Sequence, residues 1–111
     1  MSRSDQDRFA DIRAAIHRCF DYRNHLDSSE LGAMAYDAVL RNLAVIGEAV
    51  RALPREVKDA HPETPWASIA GLRNVVIHEY FRVDPEAIRD IVDNDLARLD
   101  EALTERPSSE P

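Results

Sequence analysis

Apolar residues recur at steps of three and four along almost the whole of this 111-residue chain. This spacing places side chains on one face of an α-helix and differs from the alternation expected of a half-buried strand. Only three glycines are available for tight hairpin turns, which also favours helices. The pattern predicts four helices. The first runs from Ser4 to about Arg23, and the second starts with Asp27 or Ser28 as its cap and runs to about Leu53. The third runs from Pro65 to around "YFRVDP" (80–85), and the last from the capping residue Asp84 to Leu103.

The links between these helices are brief, which predicts an all-α fold, an antiparallel four-helix bundle. The polar stretch "PREVKDAHPETP" has room for a short extra helical turn, and Thr64 is expected to cap the helix that follows it. Residues 1–103 are predicted to form one domain, and 104–111, "TERPSSEP", a disordered polar tail. Gly47 lies inside the second helix at a cost of about 1 kcal/mol relative to alanine. Close approach of a neighbouring helix would explain it, and simple tolerance is the alternative.

Composition limits the possible partners. The net charge of −7 opposes a broad basic surface for nucleic acid, so any contact with RNA must be local. The charged start is unlike a secretory signal, and the longest uncharged stretch, residues 64–72, is too short to span a membrane. The single cysteine, Cys19, has apolar neighbours at helical spacing and is predicted to be a packing residue. Together these features predict a cytoplasmic protein without membrane contact.

The spacing of the candidate residues argues against a zinc site, a di-iron site and a cysteine nucleophile. The stretch "HEYFR" begins like the zinc motif H-E-x-x-H, but Arg82 stands where the second histidine is needed. A di-iron bundle needs Glu-x-x-His pairs, and none of the four histidines has a glutamate three residues before it. Nothing close in the sequence would activate the thiol of Cys19 as a nucleophile. We therefore expect neither a metal nor another cofactor.

The stretch "RNVVIHEYF", residues 73–81, remains as a candidate reaction centre. Asn74 and His78 share one helix face, and the long side chain of Arg73 can reach the same point from about 7.5 Å along the axis. A guanidinium binds phosphate oxygens and an imidazole transfers protons near neutral pH, so the pair suits metal-free RNA cleavage by the 2′-hydroxyl. The alternative is an ordinary packed helix with a solvated arginine, a hydrogen-bonded histidine and a core aromatic at Tyr80.

One histidine cannot easily act as both base and acid. A two-fold homodimer with the third helices at its interface would place two copies of Arg73 and His78 around a common cleft, with one histidine for each role. It would also concentrate positive charge there, which would allow an acidic protein to hold RNA. Trp66, earlier in the same helix, is interpreted as a packing residue.

Three stretches resemble the HepT-like branch of the HEPN superfamily: "RNLAVIGEAV" (41–50), "TPWASIAGLRNVVIHEYFRVD" (64–84) and "IVDNDLARL" (91–99). The middle stretch matches the family motif R-x-x-x-x-H-x-Y through Arg73, His78 and Tyr80. The resemblance covers residues 41–103, whereas residues 1–40 match in pattern only. It implies a dimeric helical bundle that is a metal-independent endoribonuclease, the toxin of a type II- or type VII-like toxin–antitoxin pair with a small nucleotidyltransferase antitoxin.

By this resemblance Arg73 and His78 are catalytic and Tyr80 receives AMP from the antitoxin. Asn74, on the helix face of His78, is expected to support them. An AMP group would add bulk and negative charge and repel an incoming phosphate. Glu48 is a further candidate by resemblance, and a solvated or arginine-paired helix residue is its alternative. Two other functions stay open: a non-catalytic docking subunit of a nucleotidyltransferase, and an oligomerisation unit in which Arg73 and His78 are incidental.

Overall fold

The computed structural model describes residues 3–79 and 84–104, with side chains for 5–76 and 84–104. Every regular element in these residues is helical, which confirms the predicted all-α bundle with a short extra helix. The elements are α1 (Arg3–Arg23), α2 (Gly32–Arg51), α3 (Arg55–Ala60), α4 (Trp66–Ala70), α5 (Leu72–Glu79), α6 (Pro85–Asp90), a π-helical turn (Ile91–Leu96) and α7 (Ala97–Thr104). Of the predicted tail, only Thr104 is described, and it ends α7. None of the described helices is long and apolar enough to cross a membrane.

Helix α2 lies at the centre of the bundle. It packs against α1, α4, α5 and α6, and α1 also contacts the π-helical turn and α7. Because each helix carries an apolar stripe at helical spacing, the stripes meet in one core. Its fully or almost fully buried side chains include Ile12, Ile16, Cys19, Val39, Leu43, Ile46, Val50, Ile69, Ile88, Val92, Leu96 and Leu99.

Helix α2 begins at Gly32, so the prediction of a start at Asp27 or Ser28 is wrong. The Ser28 side chain does accept hydrogen bonds, from Leu31 N at 3.0 Å and Glu30 N at 3.3 Å, but these close a turn that precedes the helix. A Cβ atom at Gly32 would lie 2.9 Å from the carbonyl oxygen of Leu26. The turn therefore folds tightly against the start of α2, and glycine permits this approach.

The predicted third helix is divided in two at Gly71, whose ψ of −6° departs from helical geometry. Helix α4 begins at Trp66 without a side-chain cap, so the prediction that Thr64 caps it is also wrong. The Trp66 indole donates to the carbonyl oxygens of His61 at 2.9 Å and Lys58 at 3.1 Å. Trp66 therefore packs against the core, as predicted, and also ties α3 to the start of α4.

The last helical segment is capped by Asp84, as predicted. The Asp84 carboxylate accepts a hydrogen bond from Glu86 N at 3.1 Å, and Pro85 occupies the first helical position. Buried residues then follow at successive four-residue steps, from Ile88 to Val92 to Leu96. In an ideal α-helix each such step rotates the side chain by about 40°. The wider π-helical turn offsets this drift and keeps the stripe on the core.

Gly47 is where α2 meets the two halves of the third helix. A Cβ atom at this position would lie 2.9 Å from the carbonyl oxygen of Ile69 and 3.1 Å from the backbone nitrogen of Arg73. Such distances are too short for a side-chain carbon without a backbone shift. The explanation of Gly47 by close helix approach is therefore confirmed, and this contact places Arg73 beside α2.

Candidate active site

The first turn of α5 combines a buried anchor with an exposed polar face. Leu72 is buried in the core, whereas Arg73, Asn74 and Val75 are exposed. The Arg73 backbone lies against Gly47, so its side chain leaves the bundle directly beside α2. The contact between these helices therefore directs a guanidinium and an amide towards solvent on a rigid support.

Glu48 is the carboxylate that meets Arg73. Its Oε2 atom lies 3.4 Å from Arg73 Nε, and 47% of the arginine side chain and 60% of the glutamate side chain are exposed. An ion pair this exposed contributes at most about 1 kcal/mol to stability. It is formed through Nε, so the two terminal nitrogens of a guanidinium in this position can still bind an anion through two parallel hydrogen bonds. The pair can orient Arg73 without saturating it.

The other predicted site residues are Asn74, His78 and Tyr80. Asn74 is exposed beside Arg73, on the turn that carries it. His78 belongs to α5, five residues beyond Arg73, but its side chain lies outside the described residues, as does Tyr80 altogether. The structure thus brings together Arg73, Asn74 and Glu48. The convergence of Arg73 with His78, and the position of Tyr80, stay predictions.

A second arginine–histidine pair, absent from the sequence reasoning, lies on α1. Arg13 Nε and His17 Nε2 both contact the Asp100 carboxylate of α7 at 3.2 Å. Their spacing of four residues was the available signal, since it places both side chains on one helix face. The sequence alone could not reveal that α7 places the Asp100 carboxylate between Arg13 and His17. This cluster links α1 to α7.

Cys19 is fully buried, which confirms its prediction as a packing residue. Burial raises the pKa of its thiol to about 12, because the thiolate would lose its hydration, and the nearby Arg18 charge lowers the pKa only in part. A thiol held protonated in the core is a poor nucleophile. Among the residues that the structure describes, no group of three or more His, Cys, Asp or Glu side chains could hold a metal ion.

Comparisons with known proteins point to one family. The family model "Ribonuclease HepT-like" matches residues 12–106. A protein of Thermococcus cleftensis named "Probable ribonuclease HepT" is 34% identical over 101 residues, which cover 89% of this chain and 92% of that protein. A Methanocaldococcus jannaschii protein with a provisional RNase name is 35% identical over 99 residues, or 84% of this chain and 82% of its own.

A Caldanaerobacter subterraneus protein, also with a provisional RNase name, is 40% identical over 68 residues, which cover 61% of each chain. No solved structure matches this chain. The family model spans most of the sequence, including α5 and the α2 residues that support it. The chain therefore belongs to the HepT-like ribonuclease family of the HEPN superfamily.

Proposed function

We propose that this protein is a metal-independent endoribonuclease in which Arg73 and His78 are catalytic. One observation carries the proposal: in a HepT-like chain, the arginine of the R-x-x-x-x-H-x-Y motif lies exposed on α5, supported by the contact with Gly47 and oriented by Glu48. A side chain held on a rigid element is suited to stabilising charge that develops in a transition state.

In the proposed reaction, His78 of one protomer removes the proton from the RNA 2′-hydroxyl, and the 2′-oxygen attacks the adjacent phosphorus. The bond from phosphorus to the 5′-oxygen breaks, and His78 of the second protomer donates a proton to that oxygen. Arg73 binds the non-bridging oxygens and stabilises the pentacoordinate phosphorane, while Asn74 helps to hold the strand. The products are a 2′,3′-cyclic phosphate and a free 5′-hydroxyl.

The two proton transfers require two histidines, and each protomer supplies one His78. A homodimer with its two-fold axis beside α5 would meet this need. Val75, an exposed apolar residue with 41% of its surface accessible, lies on the turn that carries Arg73. A contact between two α5 helices here would bury Val75 and bring two arginines to one cleft. In a chain of net charge −7, that cleft would be a local site for an anion.

We further propose that the protein is the toxin of a toxin–antitoxin pair in the cytoplasm. A cognate nucleotidyltransferase would transfer AMP to Tyr80 and so block activity. The motif supports this, since Tyr80 follows His78 by two residues. An AMP group at that point adds negative charge that would pair with Arg73 and repel the RNA backbone.

The direct test of the ribonuclease is cleavage of RNA by the purified protein in EDTA, with analysis of the ends. We expect cyclic phosphate ends from the wild type and none from His78→Ala. His17→Ala is the matched control, because it removes a histidine from a different helix. Wild-type activity in His78→Ala would refute the mechanism. A stable complex with the nucleotidyltransferase without any RNA cleavage would instead establish the docking subunit as the function.

The modification is tested by incubating the protein with ATP and a cognate nucleotidyltransferase, followed by mass spectrometry. AMP additions should appear on the wild type and be absent from Tyr80→Phe. Tyr22→Phe and Tyr36→Phe are the matched controls and should still be modified. An adduct that persists in Tyr80→Phe would assign the acceptor to another residue.

A further inference from the structure

A groove of about 560 Å³ lies between α1 and α2, outside the candidate active site. Its volume falls in the range of pockets that hold small organic ligands. Helix α1 contributes Arg18 and Tyr22, and α2 contributes Asp37, Arg41, Asn42 and Val45. The groove therefore combines two cations, an aromatic ring and an amide in a chain whose net charge is −7.

The cationic side of the groove is organised by hydrogen bonds. Arg18 Nε donates to Asn42 Oδ1 at 3.1 Å, and Asn42 Nδ2 donates to the carbonyl oxygen of Ala38 at 2.8 Å. Asn42 is thus held at both ends and orients Arg18 across the two helices. Arg41 is exposed and makes no ion pair within the part of the chain that the structure describes. The charged residues of the lining are Arg18, Arg41 and Asp37, which leaves one positive charge in excess.

The apolar side offers a surface for stacking. Tyr22 is half-buried and packs against the core, which holds its ring in place. Val45, 51% exposed, adds an apolar surface at the other side of the groove. Cations beside an aromatic ring are the combination that binds single-stranded nucleic acid, because the backbone is anionic and every base has a face that stacks.

The groove leads towards the candidate active site. Arg41, Val45 and Glu48 are spaced by four and then three residues and are all exposed, so they form one stripe along α2. Glu48 lies seven residues after Arg41 on the same helix, which corresponds to about 10 Å along its axis. Glu48 contacts Arg73. A strand of a few nucleotides would cover the distance between the groove and Arg73.

We propose that this groove binds the single-stranded RNA segment next to the scissile phosphate, with Arg18 and Arg41 on backbone phosphates and a base stacked on Tyr22. The inference rests on the proposed ribonuclease function and specifies how its substrate is held. An acidic peptide would use the two arginines but would leave the aromatic side of the groove without a stacking partner. RNA is therefore the occupant that the observed groups favour.

Binding is measured by fluorescence anisotropy with the full-length protein and a 2′-O-methyl oligoribonucleotide, which cannot be cleaved because it lacks the free nucleophile. Arg18→Gln and Arg41→Gln should each weaken binding several-fold and reduce the slope of log K against log salt by about 0.7 per lost phosphate contact. Tyr22→Leu should weaken binding by about tenfold, in line with the loss of one stacked base. Arg55→Gln, an exposed arginine of α3 outside the groove, is the control for lost charge.

The position of the strand is tested by irradiation with an oligonucleotide that carries a single 4-thiouridine. A cross-link at Tyr22, found by mass spectrometry, is expected when the thiouridine lies within a few nucleotides of the cleavage site. If Tyr22→Leu fails to fold, the inference is still tested, because the two arginine variants and the cross-link to the wild-type protein do not depend on that variant.

The outcomes separate the two proposals. If the wild type cleaves RNA while both arginine variants match Arg55→Gln in affinity, salt slope and kcat/KM, the groove inference is overturned and the ribonuclease stands. Failure of the wild type to bind the oligonucleotide, or a loss confined to binding of a protein partner, also overturns it. If binding depends on the groove but no RNA is ever cut, the ribonuclease proposal fails and the groove remains an RNA site.

Discussion

Two helices of this protein each carry an arginine–histidine pair, and the surroundings of the two arginines differ. On α1, Arg13 and His17 both contact the Asp100 carboxylate, whose side chain is 22% exposed. On α5, Arg73 forms an ion pair with Glu48, whose side chain is 60% exposed. Residue type alone therefore does not make a phosphate site. Whether an arginine links two helices or stays available to a ligand depends on how exposed the carboxylate is that the neighbouring helix places beside it.

The largest expected effect separates the two pairs by activity. His78→Ala should lower the single-turnover rate of RNA cleavage by about 10²- to 10⁴-fold, the range for loss of a general acid–base group. Arg73→Ala should lower it by about 10²- to 10³-fold, the range for loss of a group that stabilises transition-state charge. Arg13→Ala and His17→Ala should stay near the wild-type rate, because those side chains face α7. Equal losses in both pairs would abolish the distinction drawn between them.

A substitution at Gly47 should disturb Arg73 and His78 on α5 but not Arg13 and His17 on α1. Gly47→Ala forces a Cβ atom into the backbone of Ile69 and Arg73, and overpacking of this kind costs about 1–3 kcal/mol. Thermal unfolding should show a lower Tm, and cleavage by the folded fraction should fall as Arg73 moves. Gly71→Ala is the matched control, since its Cβ would lie 3.4 Å from the carbonyl oxygen of Ala67, an ordinary van der Waals distance. An unchanged Tm in Gly47→Ala would contradict the close approach.

Glu48 should have an intermediate effect as a residue that positions Arg73. Glu48→Ala is expected to lower kcat several-fold, less than Arg73→Ala does, with a stability change below about 1 kcal/mol for so exposed a pair. Glu48→Gln keeps an oxygen that can accept from Arg73 Nε and should restore most of the rate. A faster enzyme in both variants would show that Glu48 competes with the substrate.

The smallest effect is expected in the cluster that Arg13 and His17 of α1 form with Asp100 of α7. Asp100→Asn should reduce the free energy of unfolding in urea by about 0.5–1 kcal/mol, because the ion pairs are only partly shielded from solvent. The difference should shrink in high salt, where exposed charges are screened. Asp59→Asn, at an exposed position on α3, is the control, and RNA cleavage should be unaffected in both variants.

Helix content was predictable because an apolar stripe reports which residues must face a core. The cap at Asp84 was predictable because capping depends on neighbouring residues, whereas the choice between the two explanations of Gly47 needed its tertiary contact with Ile69 and Arg73. The errors concern helix boundaries. Ser28 makes cap-like hydrogen bonds, but in a turn that precedes α2. The boundary at Gly71 between α4 and α5, both of which contact α2, was also missed.

The candidate site was predictable only in part. The motif identified Arg73 and its neighbours, since spacing along one helix is a local property. The pairing of Arg73 with Glu48, the Asp100 cluster and the groove between α1 and α2 each join residues that are distant in sequence. Which polar faces meet depends on how the helices pack, and several packings would bury the same apolar stripes equally well.

By itself the sequence determined that the chain folds as helices around one apolar core and that one stretch carries the residues for phosphodiester chemistry. Both conclusions follow from short-range periodicity and from the chemistry of single side chains. Only the tertiary structure decided which arginine is occupied by a shielded carboxylate, which one stands exposed beside Glu48, and which helices border a cationic groove. The physical reason is that charge–charge contacts act over a few ångströms in space, without regard to separation along the chain.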